Sequence, residues 1–286
     1  MSDAPDDSEI EGSRAPLMEH LVELRQRLIT SLVAYGVAVV ICYLFSKQLF
    51  DLVVRPFEVA QGVIAQQKAP GHHGPFDMIL ILVGAIPAPP TKHESMIYTA
   101  PLEQFLTYLK LSGIAGLVLA FPVIGWQLYR FIAPGLYKRE RNAFLPFLLA
   151  SPVLFLMGAA LVYYVMLPFV MIFSLNQQIE GVTQYLPRVD DYLKLATALL
   201  LAMGLCFQLP VILTLLGMAG ILGSQTLTSS RRYAIVGVFA VAAVVTPPDP
   251  ISMLSLAFPI CLLYEVSIWC VKVIELRRGK EEASAP

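Results

Sequence analysis

Residues 192–216 carry a single charged side chain, Lys194, and a stretch of that length matches the roughly 20 residues a helix needs to cross about 30 Å of hydrocarbon. Similar apolar runs recur at about 28–45, 102–126, 143–174, 233–245 and 251–271. The chain therefore reads as an all-α integral membrane protein with six spans. Composition agrees: 57% of its 286 residues are hydrophobic and only 14% charged, against about 25% in soluble domains. Mean hydropathy is +0.68. The run 143–174 exceeds one crossing and contains Pro146, Pro152 and Pro168, which predict kinks where neighbouring helices satisfy the freed carbonyls. The run 233–245 makes a helix of only about 20 Å, short for a bilayer.

Just before the first run, Leu17, Leu21, Leu24 and Leu28 line one helical face while Glu19, Glu23 and Arg27 fall on another. This is an amphipathic helix that continues into a span, its apolar side lying in the headgroup layer. Residues 1–16 are polar and contain Pro5, Gly12 and Pro16, a composition expected to leave a disordered tail. The acidic start offers no basic region before a short apolar core, so no cleavable signal peptide is expected. Residues 17–272 form a single membrane domain, and 273–286 a charged tail. Residues 46–101, rich in proline and glycine, read as a long loop after the first span. Its apolar patch 78–86 suggests a strand or hairpin, and the adjacent His72 and His73 read as solvent-exposed rather than metal-binding.

Thirteen of the 20 lysines and arginines fall in the N-terminal segment, the link between spans two and three, the link between four and five, and the C-terminal tail. By the positive-inside rule both termini are cytoplasmic and the long loop is external. No internal repeat of the transporter kind is evident.

Polar side chains at membrane depth are costly and point to function, or to helix-packing hydrogen bonds and snorkelling. Here they are Lys110, Gln208 and Glu265, with Asp249 at the turn before the last span, where capping that span is the plain reading. The four cysteines show no disulfide or metal spacing. No catalytic set and no phosphate-binding glycine loop is present, so neither enzymatic activity nor a cofactor, metal or nucleic-acid partner is expected. Two short charged segments remain, 19–27 and 131–141, each placing a carboxylate, Glu23 or Glu140, among basic neighbours. Carboxylates at an interface bind guanidinium groups bidentately, and two of them suit a pair of arginines. Ordinary i, i+4 salt bridges, Glu23 with Arg27 for example, explain the same pattern, and charge spacing alone favours them.

Specific motifs add to this reading. They are His20-Leu-x-Glu23-Leu-Arg25-x-Arg27-Leu before the first span, Pro56 after it, and Phe131-Ile-Ala-Pro134-Gly-Leu-Tyr137-Lys-x-Glu140-Arg141 in the next link. Phe207-x-Leu-Pro210 in span four and Thr246-Pro-Pro-Asp249 before span six complete the set. In these motifs and their order the chain resembles the TatC family, the multi-spanning receptor subunits of the twin-arginine protein translocase. The resemblance implies a cupped bundle of six helices with both termini inside, in a bacterial inner membrane. It implies that Glu23 and Glu140, with His20, Arg25 and Arg141, recognise the paired-arginine signal peptide of folded precursor proteins. It implies structural roles for Pro56, Phe131, Pro134 and Pro210. It further implies single-span TatA-like and TatB-like partners docking near spans five and six, around Thr246 and Asp249, self-association in a larger complex, and transport driven by the proton-motive force. Two departures stand out: Gln208 sits where many members carry Glu, and 61–96 looks like an insertion in the external loop. The alternative is a small-solute transporter or channel whose path is lined by Lys110, Gln208 and Glu265, against which the missing repeats and missing facing charge pairs weigh.

Overall fold

A backbone inside lipid must satisfy its own N–H and C=O groups, and this chain does so almost entirely with helices. The computed structural model describes residues 7–67, 96–132, 138–177, 187–218, 220–246 and 250–283. In chain order the helices are α1 Asp7–Leu44, α2 Ser46–Gln67, α3 Glu103–Ile132 and α4 Lys138–Leu161. A π-helical segment, Val162–Met166, joins α4 to α5 Leu167–Asn176. Then come α6 Val189–Cys206, α7 Leu209–Met218, the short α8 Ser224–Ser229, α9 Arg231–Val245 and α10 Pro250–Ala283. The one extended pairing among the described residues is a bridge between Ile97 and Arg188.

Among the described residues, five stretches are long and apolar enough to cross a membrane: Leu21–Leu44, Glu103–Leu128, Ala150–Leu175, Val189–Met218 and Ser252–Leu276. They match five of the six predicted runs. The remaining run is α9, which has 15 residues and is about 22 Å long at the helical rise.

Two expectations differ from the structure. Ten residues of the segment expected to be a disordered tail are helical, because α1 begins at Asp7. The expected loop 46–101 begins with a 22-residue helix, α2. Its Val53, Phe57, Val59 and Ala60 are buried while Lys47, Asp51, Arg55 and Glu58 are exposed, a helical rather than loop-like alternation. Pro56 lies inside α2 and has no N–H for the Leu52 carbonyl. That carbonyl instead accepts from the Tyr163 hydroxyl at 2.9 Å, while the Tyr192 hydroxyl donates to the Val53 carbonyl at 2.6 Å. The patch 78–86, His72 and His73 lie outside the described residues.

Two prolines in the spans, Pro168 and Pro210, are accommodated locally. Pro168 follows the π segment, where the Leu167 N–H reaches back to the Val162 carbonyl and the wider turn makes room for the pyrrolidine ring. Pro210 leaves the Cys206 carbonyl without a helical donor, and the helix breaks at Phe207 and Gln208 before resuming as α7.

The buried core joins α2, α5, α6, α9 and α10 through Phe57, Met166, Met171, Leu199, Ala242 and Leu256. Helix α1 packs along α3, where Gly116 lies so close that a Cβ there would stand 2.9 Å from the Val39 backbone. One end of the bundle gathers α2 and the N-termini of α3 and α6: Phe50 meets Tyr108 edge to face, and Phe57 packs on Tyr192. There the buried Glu103 carboxylate accepts from the Thr99 and Ala100 N–H groups at 2.6 and 3.0 Å, closing the start of α3. Another gathers α8, the start of α9 and the C-terminal part of α10, where the Tyr264 hydroxyl donates to the Leu227 carbonyl and Ser224 to Glu275.

Candidate functional site

The amphipathic helix predicted around Glu23 is continuous with the first candidate span, Leu21–Leu44, as one helix, α1. Met18, Leu21, Leu24 and Leu28 are exposed along this segment. The Glu23 carboxylate accepts two bonds from Arg27, one from Nε at 3.1 Å and one from a terminal guanidinium nitrogen. Arg27 is the more enclosed partner, and the Ser31 hydroxyl bonds back to its carbonyl at 3.0 Å. Both bonds end on the same oxygen, Oε1, so two N–H groups of the guanidinium converge on one carboxylate oxygen. The i, i+4 salt bridge raised by the charge spacing is present, while Arg25, two residues away, is exposed.

In the second motif, Phe131 lies half-buried in the last turn of α3, and Glu140 and Arg141 fall in the first turn of α4. The side chains of His20, Glu140 and Arg141 lie outside the described residues, as do Pro134 and Asp249. Thr246 is buried as the C-cap of α9, its hydroxyl donating to the Ala242 carbonyl at 2.8 Å. Pro210 is buried in the first turn of α7.

The three polar groups at membrane depth have separate partners on separate helices. Gln208 is buried in the break between α6 and α7 and engages Ser151 of α4 twice: its Oε1 accepts from the Ser151 hydroxyl at 2.5 Å and its Nε2 donates to the Ser151 carbonyl at 3.0 Å. Lys110 reaches Asp190 of α6 at 2.8 Å, and Lys194 reaches the other Asp190 oxygen at 2.6 Å. Glu265 of α10 accepts from Arg231 of α9 at 2.8 Å, at the rim of a groove of about 250 Å³ between those helices. Among the described residues, Lys110, Gln208 and Glu265 share no partner. Ser151, Asp190 and Arg231 were missed from the sequence; their signal is only that each is polar in or beside an apolar run.

A family model for the Sec-independent protein translocase protein (TatC) matches residues 19–259. The chain belongs to the TatC family. It is 41% identical to the Sec-independent protein translocase protein TatC of Magnetococcus marinus, over 95% of this chain and 89% of that one. It is also 36% identical to the chloroplastic TATC of Arabidopsis thaliana, over 94% of this chain and 68% of the plant protein. A solved structure, described as the crystal structure of the twin arginine translocase receptor TatC, superposes with a TM-score of 0.68 at 32% identity, covering 89% of this chain and 98% of that one. TatC membership makes the chain a multi-pass, non-enzymatic component of protein transport. The matched segment contains Glu23, Glu140, Gln208 and Thr246, and every motif quoted above.

Proposed function

We propose that this TatC-family chain is the receptor for twin-arginine signal peptides of folded precursor proteins, with Glu23 and Glu140 gripping the two guanidinium groups at the cytoplasmic face of the inner membrane. The observation that carries this reading is the Glu23 carboxylate itself, whose Oε1 accepts two N–H groups of a guanidinium on a helix continuous with a candidate membrane span. An incoming arginine exchanges for Arg27 at an interface where Glu23 stays partly open to water. His20, Arg25 and Arg141 flank the two carboxylates in sequence.

On this reading both termini are cytoplasmic, and α9 is a sixth, short span. A helix of about 22 Å in a hydrocarbon layer of about 30 Å is accommodated by local thinning. TatA-like and TatB-like single-span subunits dock beside α9 and α10 near Thr246 and Asp249, the chain associates with further copies in a larger complex, and the proton-motive force drives transport. Bilayer thickness around the isolated protein tests the thinning, and an undistorted bilayer counts against it.

Crosslinking a signal peptide with paired arginines to the membrane-embedded chain tests the receptor assignment. Glu23→Ala and Glu140→Ala are each expected to weaken capture sharply. Capture that survives both changes would refute the assignment to these side chains.

A further inference from the structure

At the end of the bundle formed by the starts of α3 and α6, a crevice of about 110 Å³ opens between these two helices. Lys110 and Lys194 stand at its mouth, Asp190 lies between them, and Leu111 and Leu193 form apolar walls. Thr107 also lines it: the residue is buried, and its hydroxyl has no hydrogen-bond partner among the described residues. Both ammonium groups bind the one Asp190 carboxylate, and Lys194 also lies 4.0 Å from Asp191; the charges that line the crevice itself, Lys110, Lys194 and Asp190, leave one net positive charge. Each lysine side chain is more than half exposed and has N–H donors beyond the one aimed at Asp190.

The placement of this charge is informative. Lys110 and Lys194 both lie near the starts of apolar stretches long enough to span a membrane, Glu103–Leu128 and Val189–Met218. Two ammonium groups at that depth lie at the boundary between hydrocarbon and headgroups, where lipid phosphates are found. Leu106 and Ile114 share the Lys110 face of α3 at i, i+4 spacing, and Leu106 is about half exposed. The crevice thus combines a net positive mouth, an unused buried hydroxyl and an adjoining apolar stripe.

We propose that the α3–α6 crevice seats the phosphate of an anionic phospholipid, held by the Lys110 and Lys194 ammonium groups and the Thr107 hydroxyl, with acyl chains lying along Leu106 and Ile114. The seat is independent of signal-peptide recognition, which uses other residues. Asp190 sets its strength: it fixes the two lysines side by side and partly neutralises them.

The test is native mass spectrometry of the full chain in detergent, titrated with short-chain phosphatidylglycerol, phosphatidylcholine or inorganic phosphate. The wild type is expected to retain phosphatidylglycerol in preference to phosphatidylcholine. Replacing both lysines, Lys110→Ala with Lys194→Ala, is expected to weaken retention about thirtyfold, at about a tenfold loss per 1.4 kcal/mol and about 1 kcal/mol per basic residue. Thr107→Val weakens it further. Asp190→Asn frees both ammonium groups and tightens retention, a gain that damage to the fold does not produce. Retention unchanged in the double lysine variant, or lowered by Asp190→Asn, overturns the seat. Displacement of the lipid by an equal concentration of inorganic phosphate overturns the lipid assignment, whereas persistence of the lipid supports it.

Discussion

Gln208 and Ser151 bind each other twice across two helices, amide oxygen to hydroxyl and amide nitrogen to carbonyl, in the part of the bundle where α6 breaks into α7. Pro210 opens that break, and the paired bonds tie it to α4. Interhelical polar pairs in membranes contribute about 0.6 kcal/mol on average and up to about 1.7. Ser151→Ala and Gln208→Met are each expected to destabilise the chain by about 1 kcal/mol, and the double variant by clearly less than the sum. Unfolding in detergent measures the cycle, and strict additivity would show that the two side chains do not act as a pair.

Gly116 predicts a second effect. A Cβ at this position would stand 2.9 Å from the Val39 backbone and 2.7 Å from its side chain, so Gly116→Ala must push α1 away from α3. The expected cost is about 1–3 kcal/mol. Gly36, in α1 itself, faces open space, and Gly36→Ala is expected to be neutral or to stabilise by up to about 1 kcal/mol through the helix preference of alanine. Melting temperatures of the two variants should move in opposite directions or differ widely.

The tyrosines that serve α2 should also differ from each other. Tyr163 donates to the Leu52 carbonyl, the group Pro56 leaves without a donor, but at an exposed place. Tyr192 is 3% exposed, and its bond to the Val53 carbonyl is buried. Tyr192→Phe is therefore expected to cost about 1–2 kcal/mol and Tyr163→Phe about 0.5. Equal losses in a denaturation series would mean that burial does not set the difference.

Features that depend on neighbours in sequence were legible before the fold was known. The apolar runs located five spans and the short α9, and the i, i+4 spacing of Glu23 and Arg27 anticipated their salt bridge. What failed was local: Pro56 and the polar residues around it read as a loop, because a proline inside a helix is tolerated only when something else serves the freed carbonyl, and Tyr163 lies 111 residues away. The same distance in sequence hid the partners of the membrane-depth polar groups. Gln208 stood out at once, but Ser151 is 57 residues from it, and Asp190 is 80 from Lys110. Pairing across a bundle is set by how helices cross, which residue spacing along one helix does not encode.

The groove between α9 and α10 carries the last prediction. Its rim is the Arg231–Glu265 pair, and its walls include Ile235, Val238, Phe258 and Leu262. Phe258 is 72% exposed and Leu262 53%. A single-span helix laid there would bury these side chains against its own apolar face, whereas lipid alone leaves the groove loosely filled. A photoreactive residue at Phe258 is expected to capture a TatA-like or TatB-like subunit in membranes, and one at Leu106 on α3 is not. Leu262→Ala removes part of the wall and should lower that capture severalfold, as the loss of about 1 kcal/mol of packing implies. Equal capture from Phe258 and Leu106 would place the partner elsewhere on the chain.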